Sequence, residues 1–209
     1  MTARCRVKVC GITSVADALM VSAAGADALG LVFYPKSKRN IGIEQAAEIC
    51  KVAPPFVTTV GLFLDAEAGF VHDVLASMSL SLLQFHGSES PSYCAQFKHP
   101  YLKAVGMQGI AASGGFEAYA DQYPEAQGFL VDSHAPGAAG GTGETFDWTR
   151  VPQNYPKPII LAGGLSPENV AEAIRVSRVY AVDVSSGVEI SSGIKDAAKV
   201  QAFIQNARF

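Results

Sequence analysis

The chain has 209 residues, 49% of them hydrophobic and 17% charged, which supplies ample apolar surface for a core and excludes a disordered chain. A formal net charge of −3, with no basic run longer than Lys36-Ser37-Lys38-Arg39, leaves no field for a nucleic-acid backbone, so no nucleic acid is expected as a partner. The apolar runs are strand-sized, well short of the ~20 residues that span a bilayer, and Met1-Thr2-Ala3-Arg4-Cys5-Arg6 lacks the apolar core of a secretory signal, so no membrane partner and a cytoplasmic setting are expected.

Short apolar, β-branched runs alternate with amphipathic stretches eight times along the chain. Arg6 to Cys10 reads as the first strand and is followed by a helical pattern from Ser14 to Ala24 behind a Ser/Thr start signal. Ala28 to Phe33 is the second strand, with a helix over Ile43 to Val52. Thr58 to Phe63 leads into a helix over Glu67 to Ser77, and Leu80 to Phe85 into one over Pro91 to Phe97. Tyr101 to Val105 and Gly128 to Asp132 are the fifth and sixth strands. The sixth unit has the weakest helix: Ala135 to Thr145 is a Gly/Ala-rich loop of the kind that carries function, and only Phe146 to Arg150 has a helical pattern. Pro158 to Leu161 is the seventh strand. Ser166-Pro167-Glu168 then reads as a helix start, with an N-cap Ser, Pro at the first helical position and an acid in the first turn; Ile174-Arg175 closes that helix. Val179 to Val184 is the eighth strand, and a last helix runs from about Lys195 to Ala207.

Eight βα units predict an α/β protein, a single (β/α)8 TIM-type barrel over residues 1–209 with a short sixth helix. An open doubly wound sheet is the alternative, but no GxGxxG follows the first strand. In a barrel the chemistry sits where strands end and βα loops begin, and those positions are unusually reactive. The seventh strand ends in Ala162-Gly163-Gly164 and the eighth is followed by Ser185-Ser186-Gly187. Glycine lets the backbone approach an anion and serine adds donors without bulk, so the two segments predict a phosphate site, against tight turns chosen for geometry.

Asp132 closes an apolar strand and reads either as a turn cap or as a rim carboxyl. Cys10 closes the first strand, as a small buried hydrophobe or as a thiol poised to act as a base. Arg39 is a solvated basic turn or a bidentate partner for a substrate carboxylate. His86 is a structural histidine or a rim donor, and Asp183 a buried polar group or a substrate ligand. Cys5, Cys50 and Cys94 are assigned to packing, and the four dispersed cysteines, with no CxxC pair, indicate neither a disulfide framework nor a metal site.

Taken together, these segments resemble the phosphoribosylanthranilate isomerase family of tryptophan biosynthesis. The resemblance runs through Lys8-Val9-Cys10-Gly11-Ile12-Thr13, Gly25-Ala26-Asp27-Ala28-Leu29-Gly30, Phe33-Tyr34-Pro35-Lys36-Ser37-Lys38-Arg39 and Leu83-Gln84-Phe85-His86-Gly87. It continues in Val131-Asp132-Ser133, Gly140-Gly141-Thr142-Gly143, Leu161-Ala162-Gly163-Gly164-Leu165 and Val182-Asp183-Val184-Ser185-Ser186-Gly187-Val188-Glu189, and so covers nearly the whole chain.

The resemblance implies an Amadori rearrangement of a phosphoribosyl substrate without metal or organic cofactor. It implies Asp132 as general acid on the furanose oxygen, with its pKa raised in the occupied site, and Cys10 as general base at C2. Arg39 is implied for the anthranilate carboxylate, and Gly163, Gly164, Ser185 and Ser186 for the phosphate. His86 and Asp183 join them as substrate-binding positions, and Gly140, Gly141, Thr142 and Gly143 as a lid loop. Two residues depart from the family pattern: Phe85 replaces a leucine, and Glu144 stands where a cation is usual. The competing readings are a histidine-pathway barrel isomerase, which would use two aspartates where this chain offers Cys10 and Asp132, and a silent barrel that only binds phosphorylated metabolites. A monomer and a homodimer are equally compatible with the sequence.

Overall fold

A computed structural model of the chain describes residues 4–133 and 147–208. Strands β1 (Arg6–Cys10), β2 (Ala28–Val32), β3 (Thr58–Phe63), β4 (Leu82–Phe85), β5 (Tyr101–Gly106), β6 (Gly128–Asp132), β7 (Ile159–Leu161) and β8 (Ala181–Val184) pair in parallel and in sequence order. β8 returns to β1, with Lys8 opposite Asp183, and closes the barrel. Helices α1 (Val15–Ala24), α2 (Ile43–Val52), α3 (Ala68–Ser77), α4 (Pro91–Ala95), α5 (Phe116–Ala120), α6 (Val170–Ser177) and α7 (Ala197–Asn206) lie between or after the strands. The predicted (β/α)8 barrel is therefore the fold, and among the described residues no helix is long and apolar enough to cross a membrane.

Strand alternation divides the apolar residues into two bodies. Val7, Val9, Leu29, Leu31, Val131 and Val182 face outward and pack with the helices in the larger core. Leu102, Ala104, Leu130, Ile160, Ala162 and Ala181 form a separate inner cluster that fills the barrel. Polar groups that share the inward face, such as Lys8, Cys10, Gln84, Asp132 and Asp183, stand above or beside this plug.

Helix ends follow the local chemistry. The Ser14 hydroxyl accepts from the Asp17 N–H at 3.0 Å and starts α1, which stops at Gly25 in a left-handed conformation. Ser90 caps α4, with Pro91 at its first position. The start at Ser166 is displaced: α6 begins at Val170. Asn169 accepts from the Ser166 N–H and donates to the Gly164 carbonyl, while the Ser166 hydroxyl donates to Glu168, so 167–169 form a separate turn ahead of the helix. Lys195 also falls outside the helix predicted for it. It lies in β10 (Ile194–Lys195), paired antiparallel with β9 (Glu189–Ser191), and Asp196 caps α7 by accepting from the N–H groups of Ala198 and Lys199. The fifth unit holds a 3-10 turn at Ile110–Ser113 before the short α5, and the predicted helical stretch of the sixth unit is a 3-10 turn at Trp148–Arg150.

One buried ion pair outside the barrel braces the mouth. The Lys103 ammonium, fully buried, donates to the Phe85 carbonyl at 3.2 Å, the Gly87 carbonyl at 2.6 Å and Glu89 Oε2 at 3.0 Å. Glu89 Oε1 in turn accepts from the N–H groups of Asp65 and Gly87. The loops that follow β3 and β4 are thereby tied together, and the second carries His86.

Candidate active site

At the C-terminal ends of the strands lies a cavity of about 350 Å³. Cys10, Arg39, His86, Asp132, Gly163, Gly164, Asp183, Ser185 and Ser186 all line it, so every described position singled out from the sequence converges there. Gly140, Gly141, Thr142 and Gly143, and the departure at Glu144, lie outside the described residues. Cys5 and Cys94 are buried and Cys50 half-buried, and all four cysteines are free thiols.

Cys10 ends β1 with its thiol almost wholly enclosed. Burial pushes its pKa above the ordinary thiol value; the Lys8 ammonium opposes that shift, and the Asp183 carboxylate adds to it. Lys8 donates to Asp183 Oδ2 at 2.9 Å, a pair buried on both sides. Asp183 Oδ1, also buried, has no hydrogen-bond partner among the described residues. Behind Cys10, the Lys195 ammonium donates to its carbonyl at 2.6 Å and to Glu189 Oε1 at 2.7 Å. The Ser185 hydroxyl donates to the same carbonyl at 3.1 Å, fastening β1 to the loop after β8.

Glu189 also fixes Arg39. The guanidinium donates from Nε to Glu189 Oε1 at 2.8 Å and from Nη2 to Oε2 at 2.7 Å, a bidentate fork. One edge of Arg39 is thus committed to the protein. Burial works against the charge of Glu189, but hydrogen bonds from Arg39 and Lys195 hold its pKa below the usual carboxylate value.

Across the mouth, Asp132 ends β6. The Ser133 hydroxyl donates to its Oδ1 at 3.2 Å, and His86 Nε2 lies 3.8 Å from its Oδ2. Gln84, two residues before His86 on the same face of β4, meets His86 Nδ1 at 3.0 Å. Burial lowers the His86 pKa to about 4, although the Asp132 carboxylate pulls it upward, so His86 is neutral at pH 7. The depressed folded-state value makes its contribution to stability fully present above the unfolded pKa of about 6.5, and lost as pH falls towards 4. Denaturant unfolding at pH 7 and pH 4.5 is expected to show an acid-side loss in which His86 accounts for about 2–3 kcal/mol, and His86→Asn should shrink that loss. Equal losses in the two proteins would remove His86 from the account.

The two predicted anion segments adjoin the cavity from β7 and β8. Gly163 and Gly164 have positive φ angles of 89° and 63°, open to glycine with little strain. A Cβ at Gly163 would stand 2.8 Å from Asp132 Oδ1, so the turn needs glycine for closeness as well. The N–H groups of Gly163, Gly164 and Leu165 meet no backbone acceptor among the described residues, which leaves them available to a ligand.

Sequence reasoning assigned no role to four residues of this network: Lys8, Gln84, Glu189 and Lys195. Lys8 and Gln84 carried a usable signal, since each sits two residues before a rim group and therefore on the inward face of its strand. Glu189 and Lys195 carried none, because their positions depend on a hairpin that the local pattern does not announce.

Fold and mouth together place the chain among the (β/α)8-barrel enzymes, whose active sites lie at the C-terminal ends of the strands. A family model described as N-(5'phosphoribosyl)anthranilate (PRA) isomerase matches residues 7–206. The N-(5'-phosphoribosyl)anthranilate isomerase of Cellvibrio japonicus is 52% identical over 202 residues, covering 95% of this chain and 91% of its own. The crystal structure of phosphoribosyl anthranilate isomerase from Thermotoga maritima superposes with a TM-score of 0.84 at 41% identity, covering 97% of this chain and 98% of that one. A second crystal structure of such an isomerase, in complex with reduced 1-(o-carboxyphenylamino)-1-deoxyribulose 5-phosphate, gives a TM-score of 0.81 at 40% identity, with 97% and 98% covered. The chain belongs to the N-(5'-phosphoribosyl)anthranilate isomerase family.

Proposed function

We propose that this chain, as one catalytic domain, converts N-(5'-phosphoribosyl)anthranilate into 1-(2-carboxyphenylamino)-1-deoxyribulose 5-phosphate in L-tryptophan biosynthesis, using Asp132 as general acid and Cys10 as general base. The rearrangement opens one C–O bond and relocates protons, and no group leaves the substrate. Asp132 protonates the furanose oxygen as the C1–O bond breaks, giving an open-chain Schiff base. Cys10 as thiolate takes the proton from C2, and the resulting enol-enamine tautomerises to the ketone. The observation that carries this reading is the enclosure of a thiol and a carboxyl from β1 and β6 in one cavity, in a chain of this family.

The remaining groups divide the substrate between them. The Gly163-Gly164 turn, with its unengaged N–H groups, and the Ser185-Ser186 segment receive the phosphate. Arg39, steadied by Glu189, offers its outer edge to the anthranilate carboxylate. Asp183 Oδ1 accepts from a substrate hydroxyl, and neutral His86 serves as a hydrogen-bonding group beside Asp132. Four free thiols support a reducing, cytoplasmic setting.

Complementation of a tryptophan auxotroph lacking this isomerase tests the assignment. Growth without tryptophan is the expected result. Failure to grow with the protein expressed and folded would favour the barrel that binds phosphorylated metabolites without turning them over.

A further inference from the structure

Lys8 is a costly residue where it stands. An ammonium withdrawn from water loses several kcal/mol of solvation, and an apolar side chain would pack the same space without that loss. The barrel nevertheless places it two residues before Cys10 on the inward face of β1, opposite Asp183 in the register of β8, with Nζ 2.9 Å from Asp183 Oδ2. Lys8 acts electrostatically on both neighbours, the Asp183 carboxylate and the Cys10 thiol.

We propose that Lys8 and Asp183 form an opposed pair that sets the thiolate supply of Cys10, Lys8 favouring the thiolate and Asp183 restraining it. Lys8 is thus a positioning residue for the base, an inference that rests on the role given to Cys10 above. When the thiol ionises, the proton leaves for solvent and Lys8 then faces two anions. Its charge neutralises one of them, and the carboxylate and the thiolate compete for it.

The other elements around Cys10 do not replace this pair. β2 presents only Gly30, where a Cβ would stand 2.8 Å from the Cys10 sulfur, so the absent side chain is what gives the sulfur its space. Lys195 from β10 and Arg39 from the loop after β2 both bear on the thiol, but both are bound to Glu189. Asp132 and His86 line the same cavity from β6 and the end of β4. Lys8 is therefore the cation that shares the inward face of β1 with the sulfur and is not bound to Glu189, and Asp183 is the anion paired with it.

Opposite signs make the proposal testable. Cys10 alkylation by iodoacetamide at pH 8, followed by peptide mass mapping, reads its thiolate fraction in the folded protein without reference to turnover. Lys8→Met is expected to slow alkylation of Cys10 about tenfold and Asp183→Asn to speed it about tenfold, with Lys8→Arg near the wild-type rate. Shifts in the same direction for Lys8→Met and Asp183→Asn, or rates within twofold of wild type for both, would overturn it. If Lys8→Met does not fold, faster alkylation in Asp183→Asn with an unchanged rate in Lys8→Arg supports the proposal, and an unchanged Asp183→Asn rate overturns it. A fully active Cys10→Ala protein would instead refute the base assignment and leave the alkylation result standing.

Discussion

Asp132→Asn is expected to lower kcat by about 10²–10⁴-fold while KM stays within a few-fold. The substitution keeps the shape of the side chain, so the contact with Ser133 and the close approach of the Gly163 turn survive. What it removes is the proton that the furanose oxygen needs as the ring opens. An amide donates a hydrogen bond but does not transfer its proton, so the loss falls on the transition state and not on binding. Neutral His86, with Nε2 3.8 Å from the carboxylate, is a poor substitute because its pKa of about 4 leaves almost no imidazolium at pH 7. Steady-state kinetics on purified protein checks this, and a kcat within tenfold of wild type would sink Asp132 as the acid.

The place of Asp132 and Cys10 at the cavity was legible in the sequence for a physical reason: each is a reactive side chain at the end of an apolar strand, and a barrel puts strand ends in one place. Gly163, Gly164, Ser185 and Ser186 were legible for the same reason. The charged groups packed beside them were not. Lys8 meets Asp183 only through the pairing of β1 with β8, 175 positions apart, and Arg39 meets Glu189 across 150. No local window contains both partners. Helix starts show a milder version of this limit. Ser14 caps as its sequence predicts, whereas Ser166 does not, because Asn169 reaches back to its N–H and to Gly164 and draws the segment into a turn. Lys195 looked like the first residue of a helix until the hairpin placed its ammonium behind Cys10. Local propensity sets the element, and long-range charge then decides what its ends are used for.

Cys10→Ala should cost about as much as Asp132→Asn, on the order of 10²–10⁴-fold in kcat, since it removes the group proposed to take the C2 proton. Of the neighbouring carboxylates, Asp183 shares one oxygen with Lys8, and Glu189 is bound to Arg39 and Lys195. The pH profile carries the stronger test. A base must be deprotonated to act, and burial holds the Cys10 thiol above its ordinary value, so the thiolate fraction is still climbing at neutral pH. The wild-type kcat/KM is therefore expected to gain from thiolate formation as pH rises above 7 for as long as Asp132 keeps its proton, and to level off where Asp132 ionises. Cys10→Ala should lose that limb and leave a low, flat remainder, because the titrating group is gone. A rising limb of the same slope in the Cys10→Ala protein would assign the titration to another group and with it the role of base.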